Sequence, residues 1–252
     1  MLKLAGHGEL YKIVESTDKF SESITRSLFV QLIDGKHPSF YPDIGLEYLH
    51  QMGVVHRDIK PENLLVSTKG KLMIGDFGFA RETLVSSESP MRNLNSFLIE
   101  KPGTVGSEEY NAPELFETAD SAASKSHYST LVLDDDYYYD SAKADIFSAG
   151  VTLFLMLTKS PPFRAAHQRD PYFRRLTAAD KKAFWKIFCA QTEVSDYARD
   201  LFEKMTDKDP KSRISIVDIK QHPWLKGDLL DDHTLAQDLD LRSQIIQKLL
   251  QE

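Results

Sequence analysis

The most informative segment of the chain is His56-Arg57-Asp58-Ile59-Lys60-Pro61-Glu62-Asn63. Short apolar runs, Val54-Val55 and Leu64-Leu65-Val66, lie on either side of it, which predicts a polar loop between two strands. Asp76-Phe77-Gly78 begins thirteen residues after this segment ends, and Ala112-Pro113-Glu114 follows further along. Each tripeptide recurs by chance, but the three motifs in this order and at these spacings are highly specific.

The segments before this loop predict helices. Residues 9–33 contain two helical pieces, and Ser21 is suited to cap the second one. Lys36–Gly45 breaks the pattern with two prolines. Without those ten residues the apolar stripe would continue in helical register through Leu46 and Leu49. We therefore interpret 36–45 as an insertion into one long helix.

After the loop, residues 71–74 predict another short strand. The polar stretches 81–111 and 117–142 have no helical period and predict loops. From Ala144 onward the pattern favours helices at 144–158, 178–190, 195–206, 215–221 and 234–250. The pattern as a whole predicts a mainly α-helical domain with a few short strands near its polar centre.

Composition excludes several classes of protein. The 252 residues include 31 Lys and Arg against 38 Asp and Glu, a net charge of −7, which argues against a nucleic-acid partner. A single cysteine, Cys189, excludes a disulfide scaffold and favours a reducing, cytoplasmic location for a soluble protein. No apolar run reaches the roughly 18 residues of a membrane span, so no membrane association is predicted.

Taken together, the three motifs make the sequence resemble the eukaryotic protein kinase family from about residue 1 to residue 225. Lys60 within the loop motif is typical of serine/threonine kinases, and His222-Pro223-Trp224-Leu225 resembles the closing motif of the calcium/calmodulin-kinase-like group. The resemblance implies a protein kinase-like α+β fold, here the mainly helical C-terminal lobe with short β-hairpins. The expected domain is 1–225, with insertions at 36–45 and about 117–142, followed by a helical tail at 226–252.

The resemblance also implies roles in phosphoryl transfer from ATP with Mg²⁺ as cofactor. Asp58 would accept the proton of the substrate hydroxyl, and Lys60 would offset charge at the γ-phosphate. Asn63 and Asp76 would hold Mg²⁺, an ion that prefers oxygen ligands. Leu65 would form the floor of the adenine site. The residues expected to line the cofactor site are therefore Glu62, Asn63, Leu65 and Asp76.

Other matches imply structural roles. Asp145 would accept hydrogen bonds from the backbone of the 56–63 loop, and Arg213 would pair with Glu114. The hydroxyl of Ser107 would bridge Asp58 and Lys60, and His56 would pack beside Phe77.

Regulation and substrate preference carry weaker signals. Arg57 beside Asp58 implies control by an upstream activating kinase, because a guanidinium pairs with phosphate. Candidate acceptors are Thr104, Ser96 and Ser86 to Ser89, and the alternative is that these are ordinary solvated hydroxyls. Glu9 and Glu62 fall where basophilic kinases contact a substrate arginine, and the alternative is a pair of unpartnered exposed acids.

These 252 residues contain no glycine-rich loop, strand lysine or partner glutamate of the kinase N-terminal lobe. By resemblance, Met1-Leu2-Lys3-Leu4 aligns with the hinge between lobes, and Gly6-His7-Gly8 follows no predicted strand. We therefore expect a chain without the ATP-binding N-terminal lobe, weakly active or inactive as given. The alternatives are a truncated kinase or pseudokinase that acts as a binding scaffold, and a small-molecule kinase, which Ala112-Pro113-Glu114 disfavours.

Overall fold

The computed structural model describes residues 6–35, 45–83, 98–100, 106–116, 138–188 and 193–251. Several predictions fall outside these ranges: most of the two insertions, the hinge segment, Cys189 and the candidate phosphoacceptors. The fold below concerns the described ranges.

The first half of the chain forms three helices, α1 Leu10–Ser16, α2 Glu22–Asp34 and α3 Leu46–Gln51. Ser21 caps α2 as predicted, because its hydroxyl accepts a hydrogen bond from the Ile24 amide at 3.2 Å. Helix α2 ends at Asp34 and is capped by Gly35, which has the left-handed φ of 60° that glycine adopts without strain. An added Cβ on Gly45 would lie 2.3 Å from the Gly35 nitrogen, so the chain leaves α2 and enters α3 at neighbouring points.

The second half is also helical, and the predicted helices are confirmed to within a few residues at most ends. One helix at 171–176 was not predicted, although Pro171 at its first position and the Asp170 cap signal its start. The six helices are α4 Ser141–Thr158, α5 Pro171–Leu176, α6 Lys182–Phe188, α7 Asp196–Met205, α8 Ile216–Gln221 and α9 Asp232–Leu249.

The strands are short and antiparallel. The predicted ones are β2 Val54–Val55, β3 Leu64–Val66 and β4 Leu72–Ile74, and all three are confirmed. Four more occur where loops or no strand were predicted, because pairing partners rather than local pattern create them: β1 Gly8–Glu9, β5 Arg81–Glu82, β6 Leu98–Glu100 and β7 Tyr138–Asp140. The pairs are β1–β3, β3–β4, β2–β5 and β6–β7.

Helix α4 is the centre of the core. It is long and apolar enough to pass a composition test for a membrane span, yet 94% of it is buried among other helices. Phe154 packs on Phe202 of α7 with ring centroids 4.7 Å apart, and on Phe188 of α6 at 4.8 Å. Its apolar composition is therefore explained by its central position.

The tail helix α9 packs on α1. Leu235 and Leu239 are buried there. Arg242 covers the Phe20 ring at 4.7 Å and donates a 2.8 Å hydrogen bond to the Thr17 hydroxyl. The tail thus extends the core that supports β1 and β3.

A buried carboxylate on α4 holds the 56–63 loop. Asp145 is fully buried, and its Oδ1 accepts a hydrogen bond from the Arg57 amide at 2.7 Å. Its Oδ2 accepts one from the His56 amide at 2.9 Å and lies 2.9 Å from His50 Nε2. Burial alone would raise the pKa of Asp145, but the hydrogen bonds outweigh burial and hold the pKa below its ordinary value. The predicted role of Asp145 is confirmed.

A second buried pair joins the 112–114 motif to the helices behind it. Arg213 Nη1 and Nη2 donate to the two Glu114 oxygens at 2.7 and 2.9 Å, as predicted. The Arg213 side chain also stacks on Phe147 at 5.0 Å and donates to the Lys143 carbonyl at 2.8 Å. The bidentate geometry fixes residues 112–114 against α4.

Arg213→Met is expected to lower the free energy of unfolding by about 3–5 kcal/mol, because it leaves the Glu114 carboxylate buried and unpaired. Urea unfolding followed by circular dichroism measures this loss. The double variant with Glu114→Met should recover part of it, and the exposed Arg175→Met is the control. A loss below about 1 kcal/mol would show that the Arg213–Glu114 pair does not stabilise the fold.

Asp145→Asn is expected to cost on the order of 3 kcal/mol at neutral pH, because charge-assisted hydrogen bonds are lost. The folded pKa lies below the ordinary value of 3.8, so the Asp145 contribution is complete above that pH and disappears as pH falls toward the folded pKa. The difference in the free energy of unfolding between the wild type and Asp145→Asn should therefore become smaller in acid. Asp196→Asn, which changes a fully solvated side chain, is the control. A difference in the free energy of unfolding that does not depend on pH would contradict this role of the Asp145 carboxylate.

Candidate active site

Asp58 is the centre of the site and is only 5% exposed. Asn63 Nδ2 donates to both the carbonyl and Oδ2 of Asp58, each at 2.8 Å. Lys60 Nζ lies 2.9 Å from the same Oδ2. Because both neighbours hold Oδ2, the second oxygen, Oδ1, is the one available to accept a proton.

Gly106 brings the backbone of the 106–116 segment up to that second oxygen. An added Cβ at Gly106 would lie 2.3 Å from Asp58 Oδ1, and the φ of Gly106 is 75°. A side chain would therefore collide with Asp58, and only glycine adopts this backbone conformation without strain. The sequence analysis did not single out Gly106, although a glycine next to Ser107 was the available signal.

Lys60 links Asp58 to Ser107. Its ammonium donates to the Ser107 hydroxyl at 3.2 Å while it contacts Asp58. The Ser107 hydroxyl was expected to bridge Asp58 and Lys60. In the structure the bridging group is instead the Lys60 ammonium, because its longer side chain reaches both oxygens.

Asn63 and Asp76 offer the oxygen atoms expected for Mg²⁺. The hydrogen bonds of Asn63 use its amide nitrogen, so its Oδ1 remains for a cation. Asp76 is exposed, has a left-handed φ of 54°, and accepts one hydrogen bond, from the Gly78 amide at 3.1 Å. Such a hard-oxygen pair fits Mg²⁺ that takes its remaining ligands from phosphates and water. Within the described ranges, no three or more His, Cys, Asp or Glu side chains are grouped so that they could hold a metal ion.

Leu65 lies in β3, opposite Glu9 of β1 and Met73 of β4. Its side chain is partly exposed, and an added Cβ on Gly75 would lie 3.3 Å from its Cδ1. This arrangement leaves an apolar surface beside Asn63, which is compatible with the floor of an adenine site.

His56 and Phe77 pack as predicted, with ring centroids 5.0 Å apart in an edge-on arrangement. His56 Nε2 also lies 2.9 Å from the Gly75 carbonyl, which fixes the approach of β4 to Asp76. Phe77 remains 42% exposed.

Glu62 is partly buried and its Oε2 has no hydrogen-bond partner among the described residues. Burial raises the pKa of Glu62, Lys60 lowers it, and the carboxylates of Glu109 and Asp58 raise it further. Glu9 has a partner, Lys12, at 3.4 Å. Of the two acids expected to contact a substrate arginine, Glu62 is therefore the one for which the described residues provide no salt bridge.

The sequence analysis also missed Tyr139. It is 5% exposed; burial raises the pKa of its hydroxyl, and the charge of Arg57 offsets part of that rise. It belongs to the 117–142 stretch that predicted a loop, and no periodicity or motif there pointed to a buried tyrosine.

Comparison with known proteins places this geometry in a family. The family model for the protein kinase domain matches residues 1–225. Similar curated proteins include serine/threonine-protein kinase SAPK9 of Oryza sativa subsp. japonica, 31% identical over 99% of this chain and 59% of that protein. CBL-interacting protein kinase 1 of Oryza sativa subsp. japonica is 32% identical over 97% of this chain and 45% of that protein. Serine/threonine-protein kinase PKH3 of Eremothecium gossypii is 32% identical over 90% of this chain and 26% of that protein.

The chain spans between about a quarter and three fifths of the length of these relatives. The matched family and the kinases named above agree with the fold and with the motifs at 56–63, 76–78 and 112–114. The chain belongs to the protein kinase family, with relatives that are serine/threonine kinases and include the calcium/calmodulin-kinase-like group.

Proposed function

We propose that this chain carries the catalytic residues of a serine/threonine kinase that transfers the γ-phosphoryl group of ATP to protein hydroxyls. The observation that carries the proposal is the Asp58 carboxylate, with Oδ2 held by Lys60 and Asn63 and Oδ1 left to accept a proton. Phosphoryl transfer depends on positioning and on charge neutralisation, and this arrangement supplies both.

Each side chain has a defined part in this mechanism. Asp58 Oδ1 orients the substrate hydroxyl and takes its proton as the new oxygen–phosphorus bond forms and the bond from the γ-phosphorus to the bridging oxygen of ATP breaks, which releases ADP. Lys60, fixed by Ser107 and Asp58, offsets negative charge on the transferred group. Asn63 and Asp76 would hold Mg²⁺, which, when bound, neutralises charge on the phosphates. Leu65 would support the adenine ring.

We propose further that a polypeptide of these 252 residues transfers phosphate weakly, because its sequence supplies no glycine-rich loop or strand lysine for the α- and β-phosphates.

The second candidate function is a binding scaffold derived from a kinase. The exposure of Phe77 (42%) and Phe79 (39%) beside the site favours it, because exposed aromatic side chains offer contact area to a partner. Kinase activity separates the two functions.

Asp58→Asn is expected to lower the rate of phosphorylation of a serine peptide about 100- to 10,000-fold, because the variant keeps the shape of Asp58 but loses its proton acceptor. Incorporation of radiolabelled phosphate from ATP with Mg²⁺ measures the rate. Asp196→Asn on the surface of α7 is the matched control. If wild-type chain and Asp58→Asn give the same rate, the scaffold function is favoured.

For substrates, we propose a preference for arginine N-terminal to the phosphorylated residue. The Oε2 of Glu62 supports this, because it has no hydrogen-bond partner among the described residues and a guanidinium would supply one.

Glu62→Gln is expected to raise the KM for an arginine-containing peptide roughly tenfold, which corresponds to one charge-assisted hydrogen bond. The KM for the same peptide with alanine in place of arginine should not change. Glu15→Gln, an exposed acid on α1, is the control. An equal effect on both peptides would assign Glu62 to the structure of the loop instead.

Regulation by an upstream kinase is a further part of the proposal. Arg57 Nε and Nη2 are buried and have no partner within the described residues, which supports a site for a phosphate. Full activity in a chain shown by mass spectrometry to carry no phosphate would contradict this regulation.

A further inference from the structure

A cavity of about 380 Å³ lies between the first turn of α6 and the first half of α7, outside the site described above. This volume is within the range of roughly 300–1,000 Å³ that is typical of ligand sites. Six of the side chains that line the cavity are charged, and they are Lys181, Lys182, Lys186, Arg199, Asp180 and Glu203. Four cations and two carboxylates give a net charge of 4 − 2 = +2, whereas the whole chain carries −7. The cavity is therefore a local site of attraction for anions.

The two carboxylates of the cavity are already held by other groups. Glu203 Oε2 accepts a hydrogen bond from Lys181 Nζ at 2.9 Å, and its Oε1 accepts one from Trp185 Nε1 at 2.6 Å. Asp180 Oδ1 accepts a hydrogen bond from the Lys182 amide at 3.0 Å. Neither carboxylate forms an ion pair with the three remaining cations of the cavity.

Those three cations have little or no compensation among the described residues. Lys182 and Lys186 are exposed, lie one turn apart on the same face of α6, and form no ion pair there. The Arg199 guanidinium lies 3.5 Å from a carboxylate oxygen of Asp196, a side chain that is 99% exposed and so contributes a weak pair. Arg199 Nε is buried and has no hydrogen-bond partner within the described ranges. Each of these cations can therefore still bind an anion.

Trp185 gives the cavity a fixed wall. It is only 7% exposed and packs edge-on against Phe202 of α7, with ring centroids 5.7 Å apart. The Arg199 guanidinium lies over the Trp185 ring at 5.4 Å, which holds that side chain beside the cavity. Because the core holds both helices together, the cavity exists before any ligand binds, and little ordering has to accompany binding.

We propose that this cavity is a docking site for an acidic segment, rich in Asp and Glu, of a protein partner. The ammonium groups of Lys182 and Lys186 are point charges a helical turn apart, which suits carboxylates on successive side chains of a peptide. A single phosphate is instead matched by donors that converge on one group, such as a bidentate arginine pair. The docking site is separate from Asp58, and the inference does not depend on the proposed kinase activity.

The test is the binding of a fluorescently labelled peptide of alternating glutamate and glycine to the full chain, measured by fluorescence anisotropy without ATP. The double variant Lys182→Gln/Lys186→Gln should raise the Kd about tenfold, because it removes two exposed ion pairs. Higher ionic strength should also weaken binding to the wild type. The same peptide with glutamine in place of glutamate should not bind.

The matched control is Lys69→Gln/Lys248→Gln, which removes the same amount of charge from two exposed lysines outside the cavity. Its Kd should equal that of the wild type, and circular dichroism should show both double variants to be folded. An equal loss of affinity in both double variants would assign binding to the overall charge of the chain and overturn the inference.

Two other results would also overturn it. One is the absence of binding at peptide concentrations up to about 1 mM. The other is tighter binding of a peptide that carries a single phosphoserine among glutamines, which would show that the cavity selects a phosphate and not a series of carboxylates. Because ATP is absent from the assay, an inactive wild-type chain would contradict only the proposed function.

Discussion

The buried carboxylate of Asp145 is the interaction on which the rest of the structure depends. A charge with no exposure to solvent is unstable unless it is fully hydrogen-bonded, and Asp145 meets this requirement with two loop amides and His50. The loop at 56–63 therefore cannot move away from α4 without leaving that charge unsatisfied. The apolar length of α4 in turn keeps the carboxylate fixed at the centre of the core.

The reactive geometry follows from this anchoring. Once His56 and Arg57 are fixed, Asp58 projects toward Asn63 and Lys60, which share a single carboxylate oxygen. Gly106 then passes so close to the other oxygen that no larger residue fits. The two oxygens of one side chain are thereby given different surroundings, one structural and one available for proton transfer.

The second buried ion pair has a complementary role. Glu114 and Arg213 join the end of the 106–116 segment to α4 and to the turn before α8. The structure thus fixes this segment at one end by Arg213 and at the other by Lys60 and Ser107. The surface beside Asp58 therefore has its position determined by two cations, the buried Arg213 and the partly buried Lys60.

The sequence alone predicted the family and most of the helices. The residues at 56–63, 76–78 and 112–114 identify the protein kinase family because the three motifs occur in this order and at these spacings. Helical period and caps such as Ser21 gave α2 and α4 because these signals are local. The strands β2, β3 and β4 were visible for the same reason.

Only the tertiary structure decided the remaining features, all of which depend on contacts between residues distant in the chain. They are the pairing of β6 with β7, the approach of Gly106 to Asp58, and the Lys60 bridge to Ser107. No local pattern encodes such contacts, because each joins residues that are far apart in the chain.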